Sequence, residues 1–311
     1  MKPVALFTHT DCLLHDTGPY HPECPDRLLA VMQALEHPDF TSLLREHAPE
    51  ATREQLCLAH PASYVDRLLA MQPKAGQRLP IDADTVVSAG TIMAARRGAG
   101  GAIGAVDAVM EGWASAAFVA TRPPGHHAEQ DRAMGFCFFN TAAIAACHAR
   151  AKWGLSRVAV VDFDVHHGNG TEDIFAADPG LFYASSHQHP CYPGTGSTRT
   201  RGVAGNVLNV QLSPGTKGDA FRAAWGEQII PVLSAWAPDL LIVSAGFDAH
   251  RLDPLAELRV ETEDFAWLTD QLLAVADAHC GGRLVSVLEG GYDLGALATS
   301  AAAHVRRLMR H

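Results

Sequence analysis

Strands alternating with helices along the whole chain predict an α/β protein: a single-domain, doubly wound and mostly parallel sheet with helices on both faces, joined by right-handed crossovers. Three observations carry that expectation. Short apolar runs recur between longer segments of helical period. Several of these runs end directly in glycine, proline or acidic turns, as strands do where the chain leaves a sheet. Across 311 residues, 48% hydrophobic and 19% charged side chains supply one large core. No internal repeat, linker or low-complexity segment divides the chain, so residues 1–311 are expected to form one catalytic unit.

Taken in order, residues 4–7 form a first short strand, and a polar loop follows to HPECPDRLL at 21–29, with a helix beginning near Pro25. Thr52 and Gln55 make a capping-box pattern, LCLAH at 56–60 reads as a short strand, and 61–71 as an amphipathic helix. These elements are read as scaffold, and the stretch QPKAGQRLPIDAD that follows is turn-rich. Small residues on successive turns of 88–111 suit a helix packed closely on the sheet. Residues 116–120 form a strand that runs at once into RPPGHHAE, and GFCFFN at 135–140 leads into a helix. VAVV at 158–161 is a strand buried on both faces, ending in DFDVHHGNG. Residues 181–184 are a strand ending in the loop SSHQHPCYPGTG, and 206–212 a further strand. A helix at 221–236, the strand of DLLIVSAGFDAH, a helix at 263–279, the strand of LVSVLEGGYD and a helix at 294–309 complete the chain.

The formal net charge of -10 argues against broad affinity for nucleic acid and suits a cationic substrate. Seven scattered cysteines, never spaced as Cys-x-x-Cys, suggest neither a disulfide framework nor a thiolate zinc site. The opening MKPVALFTHTD has too short an apolar run for a signal peptide, and no stretch reaches membrane-spanning length without charges or glycines. A cytoplasmic protein is therefore expected.

Doubly wound sheets bind ligands outside the carboxyl ends of their strands, and four groups of reactive side chains follow strands here. These are His126 with His127, the series Asp162, Asp164 and His166, then Asp248, and then Tyr292. In extended backbone Asp162, Asp164 and His166 project to one side. Asp164, His166 and Asp248 offer two oxygens and one nitrogen to a divalent cation and leave positions open for water and substrate, as catalytic sites require. Zinc is the first choice, and ferrous iron or manganese also suits the oxygen-rich set. Asp162 is placed to accept the ring N–H of one histidine, which fixes its tautomer. The histidines are the proton handlers, and Tyr292, on a flexible Gly290–Gly291 turn, can donate to a developing oxyanion. Together these groups describe amide hydrolysis.

With RPPGHHAE, DFDVHHGNG, SAGFDAH and EGGYD in family order, the sequence resembles the histone deacetylase family of metal-dependent amidohydrolases over nearly its whole length. The resemblance implies the arginase/deacetylase-like fold and removal of acetyl groups from lysine side chains or related amines by metal-activated water. It implies zinc on Asp164, His166 and Asp248, acid/base work at His127, an electrostatic partner in His126 and oxyanion binding by Tyr292. Asn169 resembles the class II branch, where class I enzymes carry an acid. Phe136, beside Gly135, and Tyr192 fall where aromatics line the family's acyl-lysine tunnel; the second is usually Phe. Arg27 matches the arginine of an internal acetate cavity. The resemblance also implies a structural potassium ion near Asp162, Asp164, His166, Ser185 and Ser186, held mostly by backbone carbonyls.

Arginase-like ureohydrolases share the fold but hold two manganese ions, and Gly168 and Gly246 stand where they place further carboxylates. A non-catalytic acyl-ligand sensor on the same scaffold is a second rival, and an acetylpolyamine deacetylase a third. Leu255 stands where polyamine-selective members can carry a glutamate, so acylated lysine in peptides or proteins is the expected substrate ahead of a small acylated amine. Oligomeric state is not legible in the sequence.

Overall fold

The computed structural model describes residues 3–310; residues 1, 2 and 311 of the expected unit lie outside the described residues. The strands are β1 (Val4–Thr8), β2 (Leu44–His47), β3 (Leu79–Pro80), β4 (Val86–Val87), β5 (Ala116–Val119), β6 (Val158–Asp162), β7 (Leu181–Gln188), β8 (Val207–Leu212), β9 (Leu240–Ala245) and β10 (Leu284–Leu288). Eight of them form one sheet in the order β2-β1-β5-β10-β9-β6-β7-β8, and each neighbouring pair is parallel. β3 and β4 form a separate antiparallel ribbon.

The chain builds one half of this sheet with β1, β2 and β5, crosses to β6 and runs out to the edge at β8. It then returns to fill the centre with β9 and β10. This path brings the carboxyl ends of β5, β10, β9 and β6 side by side although they are far apart in sequence, and ligand sites form at such topological switches. All four strands are buried along their full length, which explains their continuous Val, Ala, Leu and Ile composition.

The helices are α1 (Pro25–Ala34), α2 (Arg53–Leu56), α3 (Ala62–Leu69), α4 (Thr91–Glu111), α5 (Thr141–Trp153), α6 (Asn169–Phe175), α7 (Gly218–Ala223), α8 (Ile230–Trp236), α9 (Thr262–His279) and α10 (Leu294–Leu308). One face of the sheet packs on α1, α9, α10 and the α7–α8 segment through Leu28, Trp225, Phe265 and Leu297. The other packs on α4, α5 and α6 through Ala102, Ala105, Ala142 and Phe175. Small side chains on α4 allow close contact: a Cβ at Gly100 would lie 2.0 Å from the Pro49 carbonyl oxygen.

Two local expectations are corrected. LCLAH is not a strand: Leu56 ends α2 and the next residues continue as turns, with Cys57 N–H donating to Arg53 O and His60 N–H to Leu56 O. A short apolar run does not distinguish strand from helix, and the Thr52–Gln55 capping box just before it had already started a helix. SSHQ is not loop but the end of β7, paired with β8 through Gln188 and Leu212. The helix expected at 221–236 is continuous but contains a wider π turn at Ala224–Ile229. Strand β2 was not expected, because all four of its residues are exposed at the sheet edge and show no alternation. Among the described residues no helix is long and apolar enough to cross a membrane.

Candidate active site

Each of the central strand ends contributes to one buried cluster. Beyond β5, the His126–His127 segment is held from two sides. Glu289, just after β10, accepts from Gly125 N–H at 2.7 Å and His126 N–H at 3.2 Å, while the His126 carbonyl accepts from Gly170 N–H and Thr171 N–H at the start of α6. The two imidazoles lie against each other, tilted by 43° with centroids 4.0 Å apart. They face different partners: His126 Nδ1 lies 3.0 Å from Asp162 Oδ2, and His127 Nδ1 lies 2.8 Å from Asn169 Oδ1.

Strand β6 ends at Asp162, and the following residues bend instead of remaining extended. Asp162 therefore turns to His126 and accepts from Tyr183 Oη at 3.1 Å, while Asp164 and His166 turn toward Asp248. His166 Nδ1 is 3.1 Å from both Asp164 Oδ1 and Asp248 Oδ2. The ligand atoms of these three buried residues lie within 4.8 Å of one another. Asp248 is fixed by Val165 N–H at 2.7 Å and Asp164 by Gly290 N–H at 2.8 Å.

The arrangement is electrostatically costly by itself. Burial and the adjacent Asp164 carboxylate push Asp248 up to about 7, and burial raises Glu289 to about 7 as well. Burial opposes charge on His126, yet Asp164 and Asp162 outweigh it and push the ring up to about 10. Burial holds His127 well below the ordinary histidine value, with the charges of His126 and His166 adding to the effect. The two histidines are thus pushed in opposite directions: the ring against a carboxylate toward its cationic form and the ring against an amide toward its neutral form.

The Gly290–Gly291 turn is corrected from flexible to pinned. A Cβ at Gly290 would lie 2.1 Å from Asp248 Oδ2, so backbone approaches the acid cluster directly. Arg27, 1% exposed, donates from Nη2 to the Glu289 carbonyl at 2.5 Å and from Nε to the Gly291 carbonyl at 2.6 Å, and its guanidinium lies 4.7 Å from the Tyr292 ring centroid. Buried Glu23 pairs with both Arg27 and Arg122. Arg27 stands behind Tyr292 and does not line the cavity described next.

A cavity of about 230 Å³ opens onto this cluster. His127, His166 and Tyr292 line its buried end; Phe136 and Tyr192 form its walls, and Leu255, 38% exposed, lies toward solvent. Tyr192 meets His127 edge-on with centroids 5.2 Å apart, and Phe136 meets Tyr292 at 5.9 Å. Gly135 and Phe136 both adopt left-handed backbone, φ +56° and +69°, and Phe136 N–H donates to Thr85 Oγ1. Ser185 pairs with Asp162 across β6 and β7, and Ser186 Oγ accepts from Trp225 Nε1 at 2.9 Å.

Sequence reasoning assigned no role to several residues that border the site. Asp84 and Pro22 line the cavity, yet Asp84 belongs to a stretch read only as turn-rich and nothing in IDADT indicates that its loop reaches the cavity. Glu289, Arg122 and Glu129 stood inside the recognised motifs, which was a signal, but their partners come from segments distant in sequence.

Fold and site together define a protein of the deacetylase and amidohydrolase class, a hydrolase scaffold in which Asp164, His166 and Asp248 could hold a metal ion beside paired histidines. The chain belongs to the histone deacetylase family: the model of the histone deacetylase domain matches residues 21–308. It is 41% identical to an uncharacterized Synechocystis protein over 98% of this chain and 99% of the other. It is 38% identical to the histone deacetylase-like amidohydrolase of Pseudomonas aeruginosa, over 94% of this chain and 82% of that one. Among solved structures, the crystal structure of the HDA15 HD domain superimposes with a TM-score of 0.92 at 34% identity, covering 100% of this chain and 89% of that one.

Proposed function

We propose that the protein is a zinc-dependent deacetylase that hydrolyses the acyl amide of acetylated lysine side chains. The observation carrying this reading is the convergence of Asp164, His166 and Asp248 with His127 and Tyr292 at the buried end of one narrow cavity. The donor set fits a divalent cation. Two carboxylates and an imidazole are crowded together in a buried space where a bound cation would relieve their mutual repulsion. When bound, such an ion would polarise the acyl carbonyl and make water a stronger nucleophile at neutral pH.

The protein's own groups do the rest. His127, neutral and donating through Nδ1 to Asn169, keeps Nε2 free to take the proton of the attacking water and to return it to the departing amine. His126, held cationic by Asp162 and Asp164, stabilises negative charge nearby. Tyr292 Oη donates to the developing oxyanion, and Arg27 beneath its ring holds it in place. Phe136 and Tyr192 confine a slim acyl-amine and exclude water. A structural potassium ion bordered by Asp162, Asp164, His166, Ser185 and Ser186 is proposed with this site and would stiffen the β6–β7 strand ends.

The binuclear alternative has less room. A Cβ at Gly168 would lie 2.3 Å from Asp162 Oδ2, and one at Gly246 2.1 Å from Asp164 Oδ2, so carboxylates at these positions would collide with the existing acids. For Tyr292→Phe we expect kcat to fall by about a hundredfold or more with metal content unchanged, as for the loss of one oxyanion donor. An unaltered kcat would remove Tyr292 from the mechanism.

Substrate class is tested by a side-by-side assay of the zinc-loaded protein. Leu255 offers a distal ammonium nothing, and we expect kcat/KM for acetyl-lysine peptides to exceed that for acetylputrescine or acetylspermidine. Leu255→Glu should shift the ratio toward the polyamines. Asp84 places a carboxylate on the same cavity, so the assay is a real contest: a wild-type preference for polyamines would overturn the peptide reading and assign the distal ammonium to Asp84. Absence of turnover on every acyl-amine would favour a ligand sensor instead.

A further inference from the structure

The amide of Asn169 has two chemically opposite ends, and which end faces His127 decides which ring nitrogen carries the hydrogen. Asn169 is 6% exposed at the first position of α6, too confined to choose by contact with bulk water. Its Nδ2 lies 2.7 Å from Glu129 Oε1, a charge-assisted distance, and 3.3 Å from the weakly accepting Met134 Sδ. Glu129 follows His127 by two residues in the same loop. That loop is tied to α6 by Gln130 N–H donating to Asp173 Oδ2 at 2.9 Å, and closed on itself by Glu129 N–H donating to the Arg132 carbonyl at 3.0 Å.

A carboxylate only accepts hydrogen bonds, so the end of Asn169 that meets Glu129 must be its NH2 group. Oδ1 is then left facing His127 Nδ1 at 2.8 Å, and Oδ1 only accepts, so the hydrogen of neutral His127 resides on Nδ1. The Nε2 lone pair is free on the cavity side. We propose that Glu129 is a positioning residue that sets the tautomer of His127 through Asn169. A half-buried carboxylate at the protein surface thereby keeps a buried base in its proton-accepting form. Only the catalytic consequence rests on the deacetylase reading; the tautomer itself does not.

The chain of donors and acceptors can be inverted. In Glu129→Lys the ammonium only donates, captures Asn169 Oδ1 and turns the NH2 group toward His127, which moves the ring hydrogen to Nε2. With Asn169→Asp added, a carboxylate accepts from both neighbours and the original tautomer returns. Glu129→Gln, whose amide oxygen can still accept, should behave like the wild type. Glu129→Ala is the variant least disturbing to the fold and should give a mixture of tautomers.

The test combines two readouts. Nitrogen-15 NMR of histidine-labelled protein, metal-free and zinc-loaded, with the His127 signals identified by their loss in His127→Ala, reports the tautomer directly. Steady-state kinetics on an acetyl-lysine peptide should show kcat lower by about ten- to a hundredfold in Glu129→Lys with KM little changed, and recovery in the Glu129→Lys, Asn169→Asp double variant. An Nδ1-protonated ring in both Glu129→Lys and Glu129→Ala, or failure of the double variant to restore it, would overturn the proposal. If the tautomer responds as described while the wild type turns over no acyl-amine, the relay stands and the deacetylase reading fails.

Discussion

Replacing Asp248 by alanine is expected to yield a folded protein that retains no stoichiometric metal and has no measurable turnover. Asp248 supplies one of the two carboxylates in the buried triad, and without it only Asp164 and His166 remain. A two-ligand remnant is far from the three protein ligands of catalytic zinc sites. The fold should survive because the main structural loss is one acceptor, for Val165 N–H, a deficit on the order of 1–3 kcal/mol. Removing a carboxylate that is pushed up to about 7 by burial and by Asp164 also relieves repulsion in the metal-free state. Elemental analysis and circular dichroism of the purified variant decide the matter. A full equivalent of tightly bound zinc together with wild-type activity would mean that the ligand assignment is wrong.

His127→Ala should be far more damaging than His126→Ala. The two rings touch, but their partners divide the work: His126 faces the Asp162 carboxylate and is pushed toward its charged form, whereas His127 faces the neutral oxygen of Asn169 and is pushed toward its uncharged form. Only an uncharged imidazole can begin the reaction by accepting a proton. Its loss should lower kcat by about a hundred- to ten-thousandfold, the usual range for a positioned general base. The loss of His126 removes mainly an electrostatic contribution and should cost less. Both variants should be compared at matched zinc occupancy, because either deletion leaves a neighbouring acid or amide unpaired. The reverse ranking would exchange the roles of the two histidines.

Fold class and the meeting of Asp164, His166 and Asp248 at neighbouring strand ends were legible in the sequence because both depend on local patterns. A strand buried on both faces must be continuously apolar, and a side chain at a strand's carboxyl end needs no distant information to be recognised as edge-facing. VAVVDFD, LLIVSAGFD and LVSVLEGGYD each carry that pattern complete. Where local signals competed, the reading failed: LCLAH was apolar enough for a strand but closes, in turns, the short helix that Thr52 caps, and SSHQ was polar enough for a loop but paired with β8.

By itself, then, the sequence determined the parallel α/β architecture and the residue types at four strand ends. The tertiary structure decided their partners, because β9 and β10 enter the middle of a sheet whose outer strands come earlier in the chain. That insertion sets Glu289 beneath the histidine segment, Gly290 against Asp164 and Arg27 behind Tyr292, turning what read as a flexible glycine turn into a fixed one. Asp84 reaches the cavity and Glu129 reaches Asn169 through loops whose own residues carry no sign of their destination. Side-chain identity is written locally, whereas the acceptor a donor meets depends on which distant strand lies beside it, and burial makes each such meeting compulsory.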